Sequence, residues 1–274
     1  MSIIICPNCK SLLQQFERTL KCPNGHSFDF SKQGYVNLLL ANQKKKISPG
    51  DNKIMLDARA AFLSAGYYDF LLNHIESIID SIKIFSSSND GVLQLLDLGC
   101  GTGYYTQNLF EQKSLNKTGI DISKIGIAKA ATNDKNSTYI VGSVFNLPIR
   151  DESVDLALNI FAPVCLDELK RVLKPNGYFI KVIPTGDHMK EVAEQVYEEF
   201  IPHQSLIKEE IVSDASFRII KIKELKRNIV LSEQDLINFI TMTPYLYKFK
   251  KEQLKQLKEL SVTVSFEMII CKWG

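Results

Sequence analysis

The stretch Val92-Leu-Gln-Leu-Leu-Asp97-Leu-Gly99-Cys-Gly101-Thr-Gly103-Tyr-Tyr decides the fold. Its first half is apolar and follows a polar connection, Ser86-Ser-Ser-Asn-Asp-Gly91, so it reads as a buried strand. Its second half is a Gly-x-Gly-x-Gly turn opening into a helix-compatible stretch, Tyr104 to Glu111. Glycines let a ligand approach the main chain closely, and such a turn presents amide N–H groups at a helix start. The expected ligand is nucleotide-like. A further apolar strand ends in Gly119-Ile-Asp121, and Asp121 lies 20 residues after Gly101, where an acid can accept hydrogen bonds from ribose hydroxyls.

Downstream, Thr138 to Gly142 reads as a third strand, Val154 to Ile160 as a fourth, and Tyr178 to Ile183 as a fifth after the Lys174-Pro-Asn-Gly177 turn. A helical pattern around Leu71 to Ile84 precedes the first strand, a helix follows Glu191, and Phe217 to Leu225 and Val262 to Trp273 read as additional strands. Strands alternating with helices imply an α/β fold with a parallel doubly wound sheet. Two classes of protein use such a unit: dinucleotide-binding oxidoreductases and S-adenosylmethionine methyltransferases. Leu-Asp-Leu-Gly-Cys-Gly-Thr-Gly resembles the first motif of class I (Rossmann-like) methyltransferases, whereas a dinucleotide site wants Gly-x-Gly-x-x-Gly for a pyrophosphate. The Phe145-Asn-Leu-Pro148 segment, the turn Arg150-Asp-Glu-Ser153 and the Leu-Lys-Pro-Asn-Gly before the fifth strand resemble the same class.

At the amino end, Cys6-x2-Cys9 and Cys22-x3-His26 are separated by 12 residues. Two short knuckles of this kind let three thiolates and an imidazole converge on one zinc ion, in a segment too short for a hydrophobic core. With all four positions filled by protein, the metal is structural rather than catalytic. A Cys6–Cys9 disulfide is the competing reading. The absence of an apolar signal peptide and the scatter of Cys100, Cys165 and Cys271 favour a reducing, cytoplasmic setting. Those three later cysteines read as core residues.

The chain of 274 residues carries a net charge of +2 and is 45% hydrophobic, without an apolar run long enough for a bilayer. No membrane partner is expected. Charge is uneven: residues 1–60 hold nine Lys/Arg against four Asp/Glu, and residues 61–274 hold 24 against 27. Lys44, Lys45 and Lys46 form a basic run that reads either as a solvated loop or, next to a zinc ribbon, as a phosphate-contacting segment. The expected organisation is a zinc-ribbon module over residues 1–40, a basic linker and helical segment over 41–85, and a methyltransferase domain over 86–274.

Taken together these motifs resemble the RlmA-type (RrmA-type) methyltransferases, which methylate N1 of a guanine in large-subunit (23S) ribosomal RNA. The ordered set comprises the two knuckles, His26-Ser-Phe-Asp-Phe-Ser-Lys-Gln-Gly-Tyr-Val-Asn-Leu-Leu, Pro49-Gly-Asp51, Ala58-Arg59 through Tyr68, the glycine turn with Tyr104-Tyr105, Asp121-Ile-Ser-Lys124, Phe161-Ala-Pro163 and Met242-Thr-Pro-Tyr245. The resemblance spans essentially the whole chain. It implies zinc on Cys6, Cys9, Cys22 and His26, and S-adenosylmethionine against Gly99, Gly101, Thr102 and Gly103, with contacts at Tyr68 and His188. Asp121 is the physical assignment for the ribose, and Asp97 for orienting the loop or the cofactor's amino group. Thr102 stands where enterobacterial relatives carry Glu, so only its backbone role carries over.

The base pocket has Asn159, Phe161 and Pro163 as candidates, with simple packing the alternative for Phe161. Guanine N1 carries a proton that must leave as it attacks the sulfonium methyl, and no residue is assigned as the acceptor. An N1 engaged in a Watson–Crick pair is unavailable, so the target is unpaired or flipped, as in a hairpin loop, where Tyr35, Tyr67 or Tyr68 are candidates for stacking. The resemblance also implies a homodimer that forms an RNA cleft. Three other readings stand beside this one: a small-molecule methyltransferase, a macrolide-resistance enzyme acting on a neighbouring guanine, and a noncatalytic zinc-ribbon RNA-binding protein.

Overall fold

The computed structural model describes residues 3–41, 52–82, 92–110, 115–195, 206–249, 253 and 258–274. The basic run Lys44 to Lys46 and the Pro49-Gly-Asp51 motif lie outside them. Near the amino end, three short strands, β1 (Gln14–Phe16), β2 (Thr19–Lys21) and β3 (Ser27–Asp29), form an antiparallel ribbon, and β4 (Val36–Asn37) follows. Helices α1 (Lys53–Ser64) and α2 (Asp69–Ser81) come next; Asn52 caps the first by accepting the Met55 N–H at 3.0 Å.

The larger part of the chain then alternates: β5 (Leu93–Leu98), α3 (Tyr104–Asn108), β6 (Leu115–Asp121), α4 (Lys124–Asn133), β7 (Thr138–Val141), β8 (Val154–Ile160), α5 (Leu166–Val172) and β9 (Leu173–Pro184). Short helices α6 (Lys190–Ala193) and α7 (Ile207–Ser213) lead to β10 (Phe217–Leu231), α8 (Glu233–Thr241) and β11 (Leu260–Trp273). The expected strands are therefore present. The fifth starts five residues before its predicted position, because Leu173 already pairs with Val154 across an irregularity in the ladder. The last two form one long antiparallel pair.

The main sheet has the order β10-β11-β9-β8-β5-β6-β7-β4. Pairing is parallel from β9 through β4, and antiparallel at β9–β11 and β11–β10. Chain connections leave β5 towards β6 on one side and β8 towards β9 on the other. The strand order reverses between β5 and β8, and the carboxyl ends of strands at such a point are where an open α/β sheet binds its ligand.

Because neighbouring strand residues face opposite sides, the sheet has two cores. Leu95, Leu156, Leu158, Ile180 and Val182 pack with α1, α2 and α8 on one face. Leu96, Ala157, Phe179 and Ile269 pack with α5, α7 and the ribbon on the other.

The amino-terminal segment is built into this body. Val36 and Asn37 pair with Ile140 and Val141, so β4 is the edge of the main sheet, inside the 1–40 stretch read from sequence as the ribbon module. Ile3 to Ile5 runs antiparallel to Pro148 to Arg150: the Ile5 N–H donates to Pro148 O at 2.9 Å and the Arg150 N–H to Ile3 O at 2.8 Å. Ile3, Ile4, Leu13 and Leu20 are buried in the same core as Leu147 and Ile149. Among the described residues, no helix is long and apolar enough to cross a membrane.

Candidate active site and metal centre

The glycine turn follows β5 and is fixed by its neighbour β6. Ile120 O accepts the N–H groups of Gly99 and Cys100 at 2.8 and 3.1 Å, and Asp121 accepts the Gly101 N–H on Oδ2 at 2.9 Å and the Ser123 N–H on Oδ1 at 2.7 Å. Most of the amides expected to face a ligand are thus spent inside the protein. The Thr102 N–H has no acceptor among the described residues. Asp121 has a structural duty that its ribose assignment did not anticipate, while each carboxylate oxygen keeps lone-pair capacity.

Gly99, Gly101 and Gly103 have φ of 78°, 56° and 80°, the left-handed region that disfavours side chains. Their surroundings differ. A Cβ at Gly99 would lie 2.4 Å from Ala162 Cβ, and one at Gly103 would meet Ala130 Cβ at 2.7 Å and the Tyr139 hydroxyl at 2.9 Å. A Cβ at Gly101 would meet nothing within 4 Å. Gly99 and Gly103 are glycines for packing, and Gly101 borders open space.

Asp97, at the end of β5, is 2% exposed and accepts a hydrogen bond from Thr106 Oγ1 at 2.6 Å. Burial pushes its carboxyl up to about 7, with the Thr106 bond opposing and the Asp121 charge adding to the rise. Thr106 had no signal in the sequence; only the turn of α3 brings it over Asp97. Next to it, the Tyr105 hydroxyl is buried and has no hydrogen-bond partner. A buried orphan hydroxyl and a glycine turn with open space at Gly101 are what a polar ligand would complete, so these residues fit the cofactor.

Tyr68 is 2% exposed, and Phe161 is 40% exposed. Phe161, Tyr68 and His188 converge on Phe266 of β11, with ring centroids 4.8, 5.0 and 5.0 Å from it. Phe266 escaped the sequence reading because it belongs to the last strand, far along the chain. His188 Nδ1 accepts the Ser265 N–H at 3.3 Å, which places the proton of the neutral ring on Nε2.

Asn159 is fully buried and its polar atoms are engaged within the protein: Nδ2 donates to Leu98 O at 2.7 Å and Pro163 O at 3.0 Å, and Oδ1 accepts from Lys181. It braces the loop. Phe161 and Pro163, in contrast, are exposed at the carboxyl end of β8.

In the ribbon, one donor atom from each of Cys6, Cys9, Cys22 and His26 lies within 4.8 Å of the others. Cys9 Sγ and Cys22 Sγ are 3.6 Å apart, and Cys22 Sγ and His26 Nδ1 are 3.4 Å apart. Ligands at about 2.3 Å from a tetrahedral zinc ion have neighbouring sulfurs roughly 3.8 Å apart, so the set fits. Amide donation from Ser11, then the Asn24 side chain, pulls the Cys9 thiol down to about 5, favouring the thiolate that a metal needs; burial raises Cys6. All six cysteines are unpaired, so the Cys6–Cys9 disulfide is not formed. Cys100 and Cys271 are buried, as expected of core residues, while Cys165 is half-buried.

Residues 89–227 match the family described as "Methyltransferase domain", and residues 4–46 match "RlmA, N-terminal", a zinc ribbon. The 23S rRNA (guanine(748)-N(1))-methyltransferase of Streptomyces fradiae is 29% identical, covering 97% of this chain and 95% of its own. Two proteins named "Putative 23S rRNA (guanine-N(1)-)-methyltransferase", from Bacillus subtilis strain 168 and Micromonospora griseorubida, are 29% and 32% identical. They cover 98% and 70% of this chain, and 96% and 68% of their own. The chain belongs to the RlmA-type 23S rRNA (guanine-N1) methyltransferases. The enzyme is an S-adenosylmethionine-dependent methyltransferase, and Cys6, Cys9, Cys22 and His26 are its structural zinc site.

Three outcomes follow from this geometry. Gly101→Ala costs only about 1 kcal/mol of left-handed strain, whereas Gly103→Ala adds about 1–3 kcal/mol of overpacking. Urea denaturation should separate the two, while calorimetric titration shows weakened cofactor binding in the more stable Gly101 variant. The enzyme as isolated carries roughly one zinc per chain, and Cys22→Ala carries almost none by elemental analysis; equal metal content would dismiss the site.

The third concerns pH. Since the Asp97 carboxyl moves from an ordinary 3.8 to about 7 on folding, the native state holds the extra proton between those values. This group's stabilising contribution is present below pH 4 and is lost as pH rises to 7, by as much as a few kcal/mol. Unfolding curves without cofactor should show Asp97→Asn gaining on the wild type from pH 5 to pH 8. Parallel curves would mean that the carboxylate is not held against burial.

Proposed function

We propose that this enzyme transfers a methyl group from S-adenosylmethionine to N1 of an unpaired guanine in a 23S rRNA hairpin. The observation that carries this reading is the fusion of zinc ribbon and methyltransferase sheet into one body. Ile3 to Ile5 is stitched to Pro148 to Arg150, and Lys10 Nζ donates to Asn146 Oδ1 at 2.8 Å, so the ribbon sits on the segment that flanks the cofactor crevice. A small-molecule enzyme has no use for a basic metal ribbon there. A passive RNA-binding protein has no use for the glycine turn and the orphan Tyr105 hydroxyl. The full-length relatives named for this activity support the same choice.

In this reading Gly99, Gly101, Thr102 and Gly103 form the cradle, Asp97 and Tyr105 face the amino-acid end of the cofactor, and Asp121 faces the ribose. Tyr68 and His188 complete the cofactor side through Phe266. Bound S-adenosylmethionine supplies an already activated sulfonium methyl. The chain's own contribution is alignment: Phe161 and Pro163, exposed beside the crevice, border the acceptor base, and the closed aromatic floor keeps bulk water from the methyl. Asn159 positions that border from beneath. The zinc ribbon and Lys44 to Lys46 contact hairpin phosphates, and a homodimer cleft is the assembly that the family resemblance supports.

The test uses methyl-labelled S-adenosylmethionine and ribosomal RNA from cells lacking the gene, with the labelled nucleoside identified by mass spectrometry. Labelled 1-methylguanosine is expected. Label in another nucleoside overturns the acceptor atom, and no label with cofactor and zinc bound overturns the RNA substrate.

A further inference from the structure

Asn159 and Lys181 are direct partners in the parallel ladder between β8 and β9, and therefore lie side by side on one face of the sheet. Both are buried, Lys181 being 3% exposed. Lys181 Nζ donates to Asn159 Oδ1 and to Ala162 O, the latter at 2.6 Å. Asn159 in turn donates to Leu98 O and Pro163 O. The four acceptors belong to the ends of β5 and β8 and to the loop between β8 and α5, where the ladder no longer supplies partners.

The loop is also held from above. Phe161 adopts φ 56°, its N–H donates to Val182 O at 3.1 Å, and the Ala162 methyl sits on Gly99 where no side chain could fit. A phenylalanine persists in this left-handed conformation only if its surroundings over-determine it. The buried ammonium faces two neutral oxygens, and burial pulls it down to about 8. A charge placed there is costly for stability alone, since an apolar side chain would fill the same space.

We propose that Lys181 is a positioning residue: acting through Asn159 and the Ala162 carbonyl, it fixes the Phe161–Pro163 loop so that Phe161 stands at the acceptor side of the crevice. This rests on the reading of that loop as the border of the acceptor base. It assigns Lys181 no contact with cofactor or substrate. Even as a neutral amine, lysine keeps two N–H donors for its two acceptors, so the brace survives loss of the charge.

The test compares wild type with Lys181→Met, Lys181→Gln, Asn159→Ala and the Lys181→Met/Asn159→Ala pair in the full chain. Three quantities are read: cofactor Kd by calorimetry, kcat and KM for guanine methylation, and hydrogen exchange at the Phe161 and Ala162 amides. In Lys181→Met, kcat falls about tenfold to a hundredfold, as expected when a reacting partner is displaced by about an ångström, while the cofactor Kd stays within about twofold. Exchange at the two amides accelerates. Lys181→Gln, shorter but still a donor, retains an intermediate kcat, and the double variant loses little beyond Asn159→Ala alone, because the two residues act as one unit.

Unchanged exchange and kcat in Lys181→Met overturn the proposal, as does a Gln variant no better than Met. A Kd that rises in step with the loss of kcat also overturns it, by placing the effect on the cofactor. If Lys181→Met does not fold, the Gln variant against wild type carries the comparison. If the wild type methylates no RNA, the reading of the acceptor fails separately, and the exchange measurement still decides whether Lys181 holds the loop.

Discussion

The parting of the chain at the carboxyl ends of β5 and β8 is the constraint on which the rest of the structure depends. These strands are parallel neighbours, yet their connections run to opposite sides of the sheet, so the loops that leave them separate and the main-chain groups there lose their ladder partners. An unpartnered buried carbonyl costs about as much as a lost hydrogen bond. The protein resolves the problem differently on the two sides. After β5, glycine conformations fold the turn back so that Ile120 O and Asp121 satisfy its amides. After β8, the side chains of Asn159 and Lys181 supply the donors that the Leu98, Ala162 and Pro163 carbonyls require. The two margins also meet, because Asn159 of β8 reaches Leu98 O of β5 and the Ala162 methyl packs on Gly99.

The electrostatics follow from the same division. Asp97 and Asp121 lie at the ends of adjacent parallel strands, and the Asp121 charge adds to the cost of ionising Asp97, which burial already makes high. Asp121 is compensated by two amide donors. Asp97 has only the Thr106 hydroxyl and full burial, so its charge is the poorly compensated one of the pair. A cationic group beside Asp97 would supply the missing counter-charge. The acidic margin thus favours the positively charged end of a ligand.

The succession of strands along the chain was legible because apolar alternation and glycine turns are local, and the glycine turn marks the end of β5, where the strand order reverses. The zinc ligands were legible for the same reason: paired donors at short spacing leave few geometries. What escaped were the residues whose role exists only after strands meet. Phe266 arrives from the last strand to form the floor joining Tyr68, Phe161 and His188. Lys181 reads in sequence as one cation in an apolar run, and its meaning depends on pairing with Asn159 across the ladder. Asn159 was read as a pocket residue because it ends a strand at the right edge; alternation turns it to the opposite face from Leu158 and Ile160, into the brace.

The ribbon shows how a segment without a core of its own can still be rigid. Its strands are three residues long, and a unit of that size does not stabilise itself by apolar burial alone. Two additions make it part of the enzyme. Zinc closes the knuckles, and the residues flanking them, Ile3 to Ile5 before and Val36 to Asn37 after, enter the catalytic body at separate points. Two attachments fix orientation where one would leave a hinge. The first is made to Pro148 to Arg150, and Arg171 of α5 grips that same segment through Leu147 O and Ile149 O at 3.0 and 2.7 Å. A displacement of the metal knuckles would therefore be transmitted into a loop beside the cofactor crevice. A structural metal is thus joined to the catalytic body through covalent and hydrogen-bonded connections only a few residues long.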